Sequence, residues 1–480
     1  MLTLSHGYFL SEDPKEQAIM KPYPPLGLLY VSAYLKQHDM DVQVYDSTFG
    51  TPAGFEAHLR ETKPAVVGLY ANLMTRPQVV KMAAAAKRLG VWVVVGGPDP
   101  ANYIDEYLAH GVDVVVIGEG EQTMLDLVPR LARSGTNELH EVDGVAFSDG
   151  NATVRTPARK QLRDLDALPF PDREAIDVQR YVDTWRTHHG RGAVSLITAR
   201  GCPYTCTWCS HAVYGYSHRR RSPENVVDEV EWLVDRYRPD MLWYADDVFT
   251  MKPSWLTKYA DALERRGLHL PFETISREDR LNESVVETLA RMGCFRLWIG
   301  SESGSQRILD AMKRRTDADR VRDMVRLLQQ HEIEAGLFIM LGYDGEEERD
   351  LVETVRLLTD APPDIFLTTV SYPIKGTAYY EQVKDRLIVQ KSWAEGSDRD
   401  FSVEGRRSDA YYRHAARWMT NEVAHARERL RSNAQAGTLL KTFVKAKAGR
   451  LGMMVNQASR VQESFVPASR SLIASAPLPS

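Results

Sequence analysis

The chain has 480 residues, of which 43% are hydrophobic and 26% charged, with a formal net charge of -5. That make-up is a soluble globular one with apolar mass for roughly two to four domains, and its weak acidity excludes a global electrostatic pull toward nucleic acid or membrane. No apolar stretch approaches the roughly 18 residues of a membrane span.

Met1 to Gly7 lacks the basic segment and long apolar run of a secretion signal, so the cytoplasm is the expected compartment. Prolines from Pro22 to Pro25 precede an apolar helix that runs to Leu35. Val42–Asp46 is a predicted strand and Ala65–Tyr70 a buried one. The helix Gln78–Leu89, the strand Val91–Val95, the helix Tyr103–Ala109, the strand Val112–Ile117 and the helix Gln122–Ala132 follow. Apolar strands alternating with helices predict an α/β fold with a parallel sheet covered on both faces. The amino-terminal domain, residues 1–138, is therefore read as doubly wound, with its ligand at the carboxyl ends of the strands. Residues 139–190 are read as a hairpin and linker. The hairpin is Val142–Arg155, turning at Asp149-Gly150-Asn151, and Leu165–Asp172 is a proline-punctuated linker.

Over residues 191–385 a second alternation begins with the strand Val194–Arg200, which delivers a loop carrying Cys202, Cys206 and Cys209. Then come the helix Pro223–Tyr237, the strand Met241–Ala245, the helix Pro253–Arg265, the strand Pro271–Ser276, the helix Glu283–Met292 and the strand Phe295–Gly300. The helices Ser305–Met312 and Ala318–His331, the strand Glu334–Leu341, the helix Glu346–Leu357 and the strand Ile365–Tyr372 complete the series. Six strand–helix repeats are too few for a closed eight-fold barrel. Residues 386–480 are read as carboxy-terminal helices ending in a disordered tail, Ser469–Ser480. Lys441 to Arg470 holds six Lys/Arg against one acid, Glu463. The modest charge density favours a solvated helix docked on the barrel; a surface for peripheral contact with a membrane or a polyanion is the other reading.

Three of the four cysteines form C-x₃-C-x₂-C on one loop. A [4Fe–4S] cluster normally takes four thiolates, so three leave one iron open to an external ligand, which suits chemistry better than electron relay. Zinc would need a fourth ligand, for which His211 and His218 stand near, but a second, distant ligand pair is missing. A disulfide would need an even count and an oxidising compartment. Cys294, at the start of an apolar strand, is read as a small buried residue.

The cysteine cluster, with Trp208 just before its last cysteine, resembles the signature of radical S-adenosylmethionine (SAM) enzymes. The resemblance implies that SAM chelates the open iron and that one electron cleaves it to methionine and a 5′-deoxyadenosyl radical. It implies a partial (β/α)₆ barrel, a reductant such as flavodoxin or ferredoxin, and a small-molecule substrate with no nucleic acid. Gly300-Ser301-Glu302-Ser303-Gly304-Ser305 resembles the family's Gly-x-Glu-Ser-Gly-Ser motif, which implies SAM contacts at Gly300, Glu302 and Ser303, with Glu302 at the ribose. Read alone, the segment is a turn with Ser305 as a helix cap. Gly342 and Glu346 resemble the glycine motif beside adenine, and Trp208 is implied to touch adenine through its backbone. Asp246, in an Asp-Asp pair, is a candidate for the methionine ammonium or for a structural salt bridge. Arg277 is a candidate clamp on the SAM carboxylate or a cap on the barrel rim. Among the residues after the cysteines, Tyr216 and His218 are the candidate catalytic proton-handling groups, with packing as the other role.

The amino-terminal domain resembles the cobalamin-binding domain of one radical SAM subgroup, at Pro24-Pro25-Leu26-Gly27, Gly96-Gly97-Pro98 and Gly118-Glu119-Gly120-Glu121. No Asp-x-His-x-x-Gly occurs, so no histidine is offered as lower cobalt ligand; Asn72, Leu73 and Met74 are expected at the lower corrin face. Gly96, Gly97, Gly118 and Glu119 are the other implied cobalamin contacts. The resemblance spans roughly Pro22 to Thr377 and is closest to the bacteriochlorophyll-type cyclase subgroup, where methyltransferases, cyclases and dehydratases occur. It implies activation of a substrate C–H bond with cobalamin-dependent methyl transfer to carbon. The alternatives are oxidative cyclisation or diol dehydration without methyl transfer, and a non-catalytic corrinoid module.

Overall fold

The structure, a computed structural model, describes residues 1–150 and 152–461. The tail read at Ser469–Ser480, together with Glu463 and Arg470 of the basic stretch, lies outside the described residues.

The amino-terminal sheet contains β1 (Leu2–His6), β2 (Val42–Tyr45), β3 (Val66–Tyr70), β4 (Trp92–Gly96), β5 (Val114–Val116), β6 (Val145–Asp149) and β7 (Ala152–Arg155). Their order is β2-β1-β3-β4-β5-β6-β7. The first five strands are parallel. Phe55, Val79, Ala83 and Tyr107 cover one face against Val67, Val93, Val95 and Val115. Leu28, Leu35, Met124, Leu127 and Leu131 cover the other against Leu2, Leu4, Val66, Val94 and Val116. Burial on both faces is why these strands are valine runs. The order is doubly wound, with its switch point at β1 and β3. The hairpin read as part of a linker segment instead extends this sheet, β6 pairing antiparallel with β5.

The second sheet is built from β8 (Ala193–Leu196), with a small antiparallel pair, β9 (Ala199–Arg200) and β10 (Arg219–Arg220), beside it. Its other strands are β11 (Met241–Tyr244), β12 (Phe272–Ser276), β13 (Cys294–Glu302), β14 (Glu334–Leu341) and β15 (Ile365–Val370). The six large strands run parallel in unbroken sequence, β15-β14-β13-β12-β11-β8, the open barrel expected. Helix starts follow local chemistry. Ser222 Oγ accepts from Asn225 N, with Pro223 at the first helical position of Pro223–Tyr237. Within the expected linker the chain forms a helix, Val178–His189, whose Trp185 packs under Ala193 and Met241.

A second short hairpin, β16 (Leu387–Val389) with β17 (Phe401–Val403), precedes the helices Asp409–Leu430 and Ala436–Val455. Among the described residues, no helix is long and apolar enough to cross a membrane.

Candidate active site between the two sheets

Both sheets turn carboxyl strand ends toward one cavity of about 590 Å³. Tyr70, Gly96, Gly97 and the segment Gly118 to Glu121 line it from the first domain; Cys202, Cys206, Cys209, Asp247, Arg277, Gly300 and Glu302 line it from the second.

The cysteine loop is fixed at both ends. Gly201 has φ 84°, and a Cβ there would lie 2.4 Å from Ser217 O, so only glycine serves. Buried Asp246 receives hydrogen bonds from Thr198 N (2.7 Å), Ala199 N (3.1 Å) and Arg220 Nη2 (2.8 Å). It shapes the loop and does not line the cavity. Asp247 takes the cavity position, its carboxyl pushed up by burial and by Asp246. Further on, Thr207 Oγ1 meets Tyr343 OH at 2.7 Å, and Thr207 O accepts from Tyr379 N at 2.8 Å.

All four cysteines are free thiols. Desolvation at the cavity pushes the three loop thiols up, including Cys209, which is exposed to that space, while Arg277 pulls Cys206 down. Nη1 of Arg277 and Nη1 of Arg314 lie 3.9 and 4.0 Å from Cys206 Sγ. Cationic iron and two guanidinium groups are what would hold such thiols as thiolates. Among the described residues, no three His, Cys, Asp or Glu side chains converge on one ion position; a cubane does not ask for that, since each thiolate meets its own iron. The loop therefore fits a [4Fe–4S] cluster. Cys294 sits at the opposite end of β13, buried, its Sγ 3.4 Å from Arg296 O.

β13 breaks register between Gly300 and Glu302, and Glu302 adopts φ 63°. That kink turns its carboxylate into the cavity. The side chain is buried, and burial pushes its pKa up to about 8 against the pull of Arg277. A ribose diol supplies the two hydroxyl donors such a group lacks. Ser303 points away, its Oγ accepting from Ser305 N (3.1 Å), and it only braces the turn. Ser305 occupies the cap position, but its hydroxyl donates to Asp350 (2.7 Å) instead of capping.

Arg277 is largely engaged at the rim: Nε donates to Asp279 (2.8 Å), Nη2 to Arg314 O (2.9 Å), and the guanidinium stacks 3.7 Å over Tyr204. With these partners, no bidentate face is left for a carboxylate. Arg314, which the sequence reading missed, lines the cavity and donates to Gly300 O through Nε (3.1 Å) and Nη2 (2.5 Å). Only its place just past the glycine–glutamate turn could have marked it.

Gly342 and Glu346 do not line the cavity. Glu346 accepts from Gly342 N (2.7 Å), and a Cβ on Gly342 would lie 2.7 Å from the Tyr412 ring. They seat the helix Asp409–Leu430 on the barrel. Trp208 does line the cavity, and its buried Nε1 has no partner among the described residues.

Neither catalytic candidate reaches the cavity. The chain turns at Gly215 (φ 55°), so Tyr214 faces in and Tyr216 faces out, 65% exposed and stacked on His211. His218 is tucked behind the loop, where burial and Arg220 push it down to about 4. Tyr214 and His211 line the space instead.

In the first domain, Gly96, Gly97 and Gly118 line the cavity as expected. Asn72 does not: its Oδ1 accepts from Met74 N (2.9 Å) and Thr75 N (3.1 Å), ahead of the helix Arg76–Arg88. Glu119 is no free ligand either. Its carboxylate holds Arg200 and Arg219, each at 2.8 Å, while Glu121 holds Arg200 at 2.6 Å. These buried pairs clasp both flanks of the cysteine loop. The remaining wall is glycine and aliphatic, with Gly27, Leu28, Val31, Val94 and Val116 and no histidine. It fits a flat corrin held by shape.

The radical SAM superfamily matches residues 196–358, and the B12 binding domain matches residues 19–128. An uncharacterised methyltransferase of Pyrococcus horikoshii is 26% identical over 395 residues, covering 79% of this chain and 84% of that protein. The anaerobic magnesium-protoporphyrin IX monomethyl ester cyclase of a Synechocystis species is 25% identical, covering 81% and 78%. The cobalamin-dependent SAM radical enzyme OxsB shares the fold, with a TM-score of 0.73 at 16% identity, covering 95% of this chain and 72% of that one.

Proposed function

The chain belongs to the radical SAM enzymes that carry an amino-terminal B12-binding domain, and from that premise we propose that it methylates an unactivated carbon of a small-molecule substrate. The observation that carries this reading is the single cavity shared by the cysteine loop and the glycine wall. When bound, the cluster supplies the electron that cleaves SAM, and cobalamin carries the methyl group. Cys202, Cys206 and Cys209 hold the cluster, and Arg277 and Arg314 offset its thiolate charge. Glu302 receives the ribose hydroxyls, and Asp247 faces the methionine ammonium. Tyr214 and His211, on the cavity wall, are the proton-handling candidates. A flavodoxin or ferredoxin is the fitting reductant and the cytoplasm the fitting compartment.

Oxidative cyclisation or dehydration without methyl transfer is the second reading, supported by the cyclase relative at similar identity and coverage. Anaerobic turnover with methyl-labelled SAM separates the two. Methyl transfer yields S-adenosylhomocysteine beside 5′-deoxyadenosine and puts label in the substrate-derived product; label found in methionine alone sinks the methyltransferase reading. In the same preparation, about four iron per chain should be lost in Cys202→Ala and kept in Cys294→Ala.

A further inference from the structure

Of the fifteen large apolar side chains exposed among the described residues, seven lie between Leu430 and Val455. They concentrate on the helix Ala436–Val455. Its inner face is made of Thr442, Ala446, Gly449 and Met453, packed on the helix Asp409–Leu430. The packing is close enough to demand small residues. A Cβ on Gly449 would lie 2.7 Å from Trp418 N, and one on Gly452 2.2 Å from the His414 ring.

At 3.6 residues per turn, the opposite face carries Leu440, Phe443, Val444, Leu451, Met454 and Val455, each between 47% and 76% exposed. Lys447 sits within that stripe, its Nζ 5.0 Å from the Phe443 ring. Lys441 and Lys445 flank one side and Arg450 the other. From Arg431 to Val461 the chain holds six Lys/Arg and no Asp or Glu.

We propose that this face docks on the surface of an anionic lipid bilayer, lying in the plane of the interface. An apolar centre with basic flanks matches the two layers such a helix meets: acyl chains below, phosphates level with the lysine and arginine heads. A second copy of the chain fits less well. The face has no acid to answer its own basic residues, and Lys447 lies mid-stripe, where protein interfaces are depleted of lysine. The surface is separate from the cavity and requires no particular reaction there.

The test is flotation of the full-length protein, purified anaerobically, with vesicles of phosphatidylcholine alone or with about a third phosphatidylglycerol. Binding should need the anionic lipid and fall with salt. Lys441→Gln with Lys445→Gln should weaken it about tenfold or more, at roughly 1 kcal/mol for each charge at the surface. Leu440→Asn with Leu451→Asn should also remove it, and both pairs should keep the iron content and melting temperature of the parent. Equal flotation of parent and variants overturns the proposal. So does a vesicle-free dimer, seen by sedimentation, that the apolar variant converts to monomer while the parent ignores vesicles. RNA binding without vesicle binding overturns it as well.

Discussion

Glu302 is held in a state that costs the fold something. Its folded pKa of about 8 lies above the roughly 4.3 of an unfolded glutamate. Between those values the folded chain keeps a proton that the unfolded chain has lost, so stability falls as pH climbs through that window. Glu302→Gln removes the penalty. The variant should melt a few degrees higher than the parent at alkaline pH, a shift on the order of 1 kcal/mol, and no higher in acid. Its affinity for SAM should drop about tenfold, as expected when an acceptor oxygen facing the ribose hydroxyls is replaced by an amide. Thermal melts across pH, paired with SAM titration, check both. A melting temperature that ignores the substitution at every pH would show the carboxylate to be solvated. The residue itself was legible in the sequence because a short motif carried it. Arg314 was not, because an arginine past a helix end has no local signature; its role exists only once the chain brings it back to Gly300 O.

At the scale of elements, the clasp made by Glu119 and Glu121 with Arg200 and Arg219 joins the end of the first sheet to the cysteine loop. Removing one partner of a buried pair leaves an unanswered charge, at a cost of about 3–5 kcal/mol. Glu119→Ala should therefore lower the melting temperature and reduce iron retention together, since the loop flanks come loose. Arg133→Ala breaks a surface pair with Glu138, screened by solvent, and should leave the melting temperature and the iron content unchanged. Thermal melts and iron assays separate the two, and a Glu119→Ala protein with full iron and parental stability would show the clasp to be incidental.

The same scale shows what sequence reasoning reaches. Two of the long barrel helices, Pro223–Tyr237 and Pro253–Arg265, match their predicted spans, because a proline at the first turn marks each start. β1 was missed: Leu2-Thr3-Leu4-Ser5-His6 alternates apolar and polar residues, yet all five are buried. Its hydroxyls find partners inside, Ser5 Oγ donating to Tyr45 O at 2.8 Å. Asp246 and Asn72 were chemically apt for ligands, but each is engaged by nearby main-chain donors. Competition of that kind is settled by tertiary geometry, not by residue type.

For the molecule as a whole, the cavity lies between domains, so it can be filled from one wall without touching the other. Gly27 is the position for this. It lines the cavity from the helix Leu26–Gln37, and a Cβ there meets no atom within 4 Å. Gly27→Phe should project its ring into the space left for the corrin while disturbing no packed neighbour. Cobalamin binding should fall by about a hundredfold or more, as a steric clash with no room to relax would cause, and the iron content and melting temperature should match the parent. Gly97 is a poorer probe, because a Cβ there would lie 2.3 Å from Ala71 O, so any side chain strains the β3–β4 junction before it meets a ligand. Hydroxocobalamin titration of the reconstituted Gly27→Phe protein, with 5′-deoxyadenosine formation measured beside it, reads the two walls separately. Lost cobalamin with SAM cleavage retained is the expected pattern. Unchanged cobalamin affinity would move the corrin out of this cavity, and methyl transfer at a site facing the cysteine loop would go with it.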